Sequence, residues 1–200
     1  MTKYFLTDIP SRLYSISMSN EQPKLKRAAI IEAACQVVLA EGAEGLTLEA
    51  AARQAGVSKG GLLYHFPNKE ALIMGMIEQL CLAFETALDR ELAADTGPVA
   101  GRWLRAYVRA SLSDEGVEQA QVSAALLAAV SSDPTLLGPL RASFARWQAS
   151  AEAAGIDPAL ASIVRFAVDG IWFAELLSLA PPSPALRLQI IEALIRVASE

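Results

Sequence analysis

Apolar side chains recur along this chain at helical spacing. Ile31, Ala34, Cys35, Val38 and Leu39 fall at i, i+3, i+4, i+7 and i+8, so they share one face of a helix. Ile73, Met76, Ile77, Leu80, Cys81, Phe84 and Leu88 repeat the period over a longer run, which predicts a continuous helix from about Asn68 to Leu92. Shorter pieces lie between. Leu48, Ala51, Ala52 and Ala55 make one small apolar face, and Leu62 and Phe66 share another. No run alternates apolar and polar residues between turn signals, so the pattern predicts no strand.

Local breaks divide this pattern into elements. Pro23 suits the first position of a helix and Gly42 suits its end. Thr47 and Ser58 are capping residues, Gly56 supplies a left-handed turn, and Pro67 cannot continue the helix before it. Val57 is expected to plug that turn from the inside. Further on, Gly97-Pro98, Asp133-Pro134, Asp157-Pro158 and Ser183-Pro184 each place proline near a helix start, and another helix is expected near Gly116. The chain therefore reads as all-α, with about nine helices. Residues 1–22 keep no period and are expected to form a mobile arm ahead of a helix-turn-helix domain at 23–69 and a helical body at 70–200. Met18 stands where a shorter chain would begin, which would make residues 1–17 a start-site extension. A minor-groove arm is the functional alternative, but it would rest on Lys3 and Arg12 alone.

Composition sharpens this picture. Hydrophobic residues make up 53% of 200, a high share that suits a helical protein with a buried subunit interface. The net charge of −5 argues against a generic polyanion binder, yet all five lysines (Lys3, Lys24, Lys26, Lys59, Lys69) lie at or before position 69. Residues 1–70 sum to near +1 and the remainder to near −6, so the cations sit at one end of an otherwise acidic molecule. Cys35 and Cys81 occupy apolar helix positions without CxxC spacing, which predicts buried thiols in a reducing compartment rather than a disulfide or a metal site. Residues 1–22 carry no signal-peptide pattern. The apolar region Ile163 to Ala180 is interrupted by Arg165, Asp169 and Glu175, so it reads as a buried helix and not a membrane span. A cytoplasmic protein without a membrane anchor is expected.

The stretch Thr47 to Lys69 carries the chemistry. Two short helices joined by a turn containing Gly56 form a helix-turn-helix, whose second helix enters the DNA major groove while the first crosses the backbone. Gly60 and Gly61 cost a helix about 1 kcal/mol each relative to alanine. Close approach of the backbone to DNA would explain them; a short helix rescued by packing is the bland alternative. Lys59 is a candidate for guanine O6/N7 or for a phosphate. The hydroxyls of Thr47 and Ser58 are caps first and possible phosphate contacts second. A single histidine, His65, argues against a multi-histidine metal site, and neither a metal nor a cofactor is expected.

The same residues resemble the DNA-binding domain of TetR-type transcriptional repressors. The resemblance rests on Gly42, on Thr47 with its helix, on Gly56-Val57-Ser58-Lys59-Gly60-Gly61-Leu62-Leu63-Tyr64-His65-Phe66, and on Asn68-Lys69-Glu70-Ala71-Leu72, within about Leu25 to Leu80. It implies DNA contacts from Thr47, Ser58, Lys59, Gly60, Gly61, Leu63, Tyr64, His65 and Lys69. Tyr64 and His65 match the family's aromatic-histidine pair, and Lys69 its phosphate clamp, aided by the free N–H groups at the start of the connecting helix. The alternative for His65 is a packed residue that closes the domain core.

Beyond about Leu80 only length, helicity and apolar character fit the family. Trp103, Tyr107, Leu126, Phe144, Trp147, Phe166, Asp169 and Trp172 are candidates for a ligand pocket, with plain core packing as the alternative. Asp169 lies among apolar neighbours and must be paired, solvated or functional, with Arg109 and Arg165 as the candidate partners. The last two helices carry more apolar surface than one wet face allows. Ala167, Gly170, Ala174, Leu188, Ile191, Leu194 and Ile195 are therefore candidates for a twofold dimer interface. The expected protein is a homodimeric repressor that binds a palindromic double-stranded operator and is released by a small apolar or aromatic effector. An enzyme is disfavoured: there is no nucleophile elbow, no phosphate-binding glycine loop and no cluster of metal ligands. The rivals are a ligand-independent DNA binder of the same fold and a helical interaction protein that binds no DNA.

Overall fold

The computed structural model describes residues 11–112, 123, 126 and 133–200. They form α1 (Ser11–Gly45), α2 (Leu48–Gln54), α3 (Lys59–His65), α4 (Lys69–Ala94) and α5 (Arg102–Ser111), then a 3-10 turn (Pro134–Leu137), α6 (Gly138–Glu152), α7 (Pro158–Leu176) and α8 (Pro184–Val197). No strand occurs among the described residues, as the periodicity predicts. The helix expected near Gly116 lies outside them.

Local chemistry sets most of the boundaries. Thr47, Ser58 and Asn68 accept hydrogen bonds from the backbone N–H three residues on, at 3.0, 3.1 and 2.8 Å, and so start α2, α3 and α4. Asp157 and Ser183 do the same for α7 and α8, each followed by proline in the first turn. Gly56 takes φ +65°; its N–H and that of Val57 bond back to Arg53 and Ala52, the paired bonds that close a helix end. Val57 is half-buried against the core.

Two boundaries differ from the sequence pattern. The backbone is helical from Ser11, so Pro23 lies inside α1 rather than at its start. The proline removes one intrahelical bond, but Gly42, at φ +74°, is the one residue in α1 with a non-helical backbone. The second difference is α5, which starts at Arg102, four residues after Pro98. Arg105 holds the intervening loop out of the helix by donating to the carbonyls of Pro98 and Ala100.

A single core runs through the molecule. Ile30, Ile31 and Val38 of α1, Leu46, Ala51 of α2, Leu62 of α3, Phe66, and Leu72 and Met76 of α4 close the N-terminal end with almost no exposure. Phe66 is wedged between α1 and α4: Arg27 lies over its ring, and a Cβ on Gly75 would come within 2.7 Å of Cε1. At the far end of α4, Arg105 is 2% exposed and acts as a clamp. Its guanidinium donates to both oxygens of Asp95, the residue that caps α4, and to the carbonyls of Pro98, Ala100 and Ala198. Arg109 also pairs with Asp95, at 2.7 Å. These charge-assisted bonds hold the Asp95 carboxyl well below the usual carboxylate range, with Arg105 the main cause. Gly101 adopts φ +69° against the end of α8, where a Cβ would collide with the Ala198 carbonyl. The far end of α4 is thus tied to the end of the last helix.

Candidate functional site

The outward face of α2 and α3 collects the residues that sequence reasoning assigned to DNA. Tyr64 is 79% exposed, extreme for an aromatic side chain, and His65 is half-buried with its ring edge-on to Tyr64 at 5.0 Å. Gly60 and Gly61 are exposed. A Cβ on Gly60 would meet nothing within 4 Å, so the protein's own packing does not require glycine there. Leu63 and Lys69 are half-buried, the latter in the first turn of α4. Thr47 and Ser58 have their hydroxyl oxygens committed to capping. Lys59 is ion-paired with Glu49 of α2 at 2.6 Å, a partner the sequence pattern did not signal.

In the body, α4, α5 and α6 bring an aromatic cluster together. Trp103 stacks on Tyr107 at 4.9 Å, and Phe84 meets Tyr107 and Trp147 edge-on at 5.4 and 4.7 Å. Phe144 leans on Trp147, and Leu126 is buried in the same core. Phe84 was missed as a pocket candidate because its position in the α4 stripe reads as core; only the packing of α4 against α5 and α6 turns it toward the other rings. The indole N–H of Trp147, 8% exposed, is a buried donor without an acceptor among the described residues.

Asp169 meets this cluster from α7. It accepts from the Tyr107 hydroxyl at 2.6 Å and pairs with Arg165 at 2.6 Å, while Arg109 is engaged by Asp95 instead. Arg165 also donates to Gln148. Burial pushes the Asp169 carboxyl above its ordinary range, against the opposing pull of Tyr107 and Arg165. Burial likewise raises the Tyr107 phenol and pushes the Cys35 thiol up to about 11, so neither is a reactive anion near neutrality.

Phe166 and Trp172 do not join the cluster. Ala161, Val164, Arg165 and Val168 are the inward positions of α7, which turns Phe166 outward, 59% exposed beneath the Arg165 guanidinium. Trp172 packs edge-on to Phe173 at the other end of the helix. On the same outward side Ile163, Gly170, Phe173 and Leu177 are exposed. Helix α8 has no fully buried residue at all: Leu188 is 62% exposed, while Ile191, Leu194 and Ile195 are partly buried against the core. Ala167 and Ala174 are half-buried.

Comparison with known proteins agrees with this arrangement. The model for bacterial regulatory proteins of the tetR family matches residues 30–75, and that for the tetracyclin repressor-like C-terminal domain matches residues 101–199. The chain belongs to the TetR family. It is 37% identical over 87 residues to the HTH-type transcriptional regulator RutR of Escherichia coli K12, a match covering 44% of this chain and 40% of RutR. The chain thus spans about two-fifths of the length of that curated relative. The crystal structure of a transcriptional regulator from Pseudomonas aeruginosa PAO1 shares the fold at TM-score 0.69 and 22% identity, over 87% of this chain and 90% of that one. The multidrug binding protein EbrR, solved in complex with ethidium, superposes at TM-score 0.63 and 25% identity, over 84% of this chain and 97% of that one.

Proposed function

We propose that this protein is a cytoplasmic transcriptional repressor that binds a palindromic operator as a homodimer and releases it when a small apolar or aromatic molecule enters the body. The observation that carries the DNA reading is the outward face of α3. Gly60, where a Cβ would meet nothing, the exposed Gly61 beside it and a largely exposed tyrosine leave a flat, polar strip. Such a strip suits close approach to a duplex, with Tyr64, His65 and Lys69 as phosphate or base contacts. Family membership supports the same reading.

The exposed side chains of α7 and α8, from Phe166 and Phe173 to Leu188, suit a self-complementary four-helix interface that buries more than about 1,000 Å² in total. The aromatic cluster suits an aromatic effector, as does the ethidium complex of EbrR. Asp169 is satisfied internally by Tyr107 and Arg165, so among the described residues the buried side-chain donor open to an effector is the Trp147 indole N–H. Helix α4 links the sites. One end lies against Phe66 and the other is clamped by Arg105, so a shift of its middle moves the recognition end.

Selection of duplexes from random DNA by the full-length protein tests this reading. The expected product is a twofold-symmetric site with half-sites spaced by whole helical turns, about 34–36 Å each. Lys69→Ala is expected to weaken binding to all sequences and flatten its salt dependence. Operator release by aromatic compounds, tracked by tryptophan fluorescence, tests the effector. Compounds that bind without changing operator affinity would favour a ligand-independent regulator, and failure to enrich any duplex would favour an interaction protein.

A further inference from the structure

Lys59 is the only residue with a permanent charge on α3, Lys-Gly-Gly-Leu-Leu-Tyr-His. Its Nζ lies 2.6 Å from Oε1 of Glu49, in the first turn of α2. Both side chains are largely exposed, at 60% and 61%, so the contact joins two groups otherwise surrounded by water. The Glu49 carboxyl is held below its usual range chiefly by the hydrogen bond from Lys59. Under the DNA-binding reading, on which this inference rests, α2 is the helix that crosses the phosphate backbone.

A carboxylate in that position makes no phosphate contact and is repelled by the duplex, whatever its sequence. Its value lies in what it does to Lys59. A free lysine is a flexible point charge that takes any phosphate oxygen within reach. Paired with Glu49 it belongs to a neutral couple, which gains little from the phosphate field. Its remaining N–H groups keep their directionality and still match the two acceptors of a guanine edge. A repulsive group that disfavours the wrong contact more than the right one is a recognised route to specificity.

We propose that Glu49 is a specificity-determining residue: by pairing with Lys59 across the helix-turn-helix, it withdraws the ammonium from phosphate and reserves it for a base edge.

The test compares the full-length wild type with Glu49→Gln, Lys59→Gln and the double variant. Each is titrated against a duplex selected by the wild type and a random-sequence duplex of equal length, over about 0.05–0.2 M salt. Glu49→Gln is expected to tighten random DNA about 3–10-fold and steepen the log–log salt slope by about one, as one more phosphate is neutralised. Affinity for the selected duplex should change little, so discrimination falls. In the Lys59→Gln background the same change should leave discrimination unaltered. The proposal is overturned if Glu49→Gln tightens both duplexes equally, or if discrimination falls by the same factor without Lys59; either marks bulk electrostatics. Thermal melting of the variants confirms that the exposed substitutions leave the fold intact. Failure of the wild type to select any duplex would remove the DNA-binding reading and this inference together, whereas an unchanged ratio removes the inference alone.

Discussion

The two ends of the molecule solve the same packing problem differently. The N-terminal end closes its core within one chain: Leu46, Leu62, Phe66 and Leu72 are buried, and the large exposed side chain left on α3 is the amphipathic Tyr64. The C-terminal pair does not close. Ile163 and Phe166 of α7 and Leu188 of α8 stay largely exposed, Phe173 and Leu186 partly so, and α8 buries no residue completely. The contrast teaches what each face is suited to meet. A surface of capped helix starts, bare glycine backbone and one tyrosine suits a polar partner. A surface of leucine and phenylalanine suits an apolar one, because leaving it in water forgoes about 25 cal/mol per Å².

The largest effect is expected at the clamp that ties the two regions together. Arg105→Met leaves Asp95 buried without its main partner and is expected to lower stability by about 3–5 kcal/mol, measured by denaturant unfolding. Lowering the pH loosens the same clamp reversibly. Because the folded-state pKa of Asp95 is depressed, its contribution is present above the unfolded value and is lost as pH falls below about 3.9. Thermal melting across pH 2–6 should show a wild-type acid destabilisation that Asp95→Asn reduces, since asparagine has no such proton to take up.

The next effect separates the two faces. Phe166→Arg with Leu188→Arg places charges on the open side of α7 and α8 and should weaken self-association by at least about 100-fold, or about 2.8 kcal/mol. Sedimentation should report a monomer with native helix content. Tyr64→Arg, at an equally exposed aromatic, should leave the oligomeric state unchanged, and a monomer there would break the comparison.

The smallest effect is the most discriminating. Gly60→Ala adds a methyl into open space within a helix, so it should stabilise the fold by up to about 1 kcal/mol. The same methyl stands where the duplex backbone would approach and should weaken DNA binding. Melting temperature and gel-shift affinity moving in opposite directions support the assigned face. A variant that gains stability at no cost in affinity would take Gly60 off the interface.

Much of this was legible in the chain because it is local. The starts at Thr47, Ser58, Asn68, Asp157 and Ser183 each depend on a side chain reaching a backbone N–H two or three residues on. The left-handed turns at Gly42 and Gly56 need only the missing Cβ. The stripes of α1 and α4 follow from the helical period. What was misread depended on neighbours distant in sequence. The late start of α5 follows from a loop bound by Arg105. The choice between Arg165 and Arg109 as the partner of Asp169, left open by the pattern, follows from Asp95 having taken Arg109. Phe166, a pocket candidate by its spacing, faces outward, because an aromatic at helical spacing has no direction until its helix docks.

By itself, then, the sequence determined the helices, their caps and the helix-turn-helix, all governed by interactions over a few residues. Tertiary structure alone decided which face of each helix is spent. It paired Lys59 with Glu49, brought Phe84 to the tryptophans, joined Arg105 to a carbonyl 93 residues away, and left α7 and α8 with an open apolar side. The reason is physical. Periodicity specifies that a helix has an apolar face, but the angle at which helices pack specifies which residues on it lose contact with water.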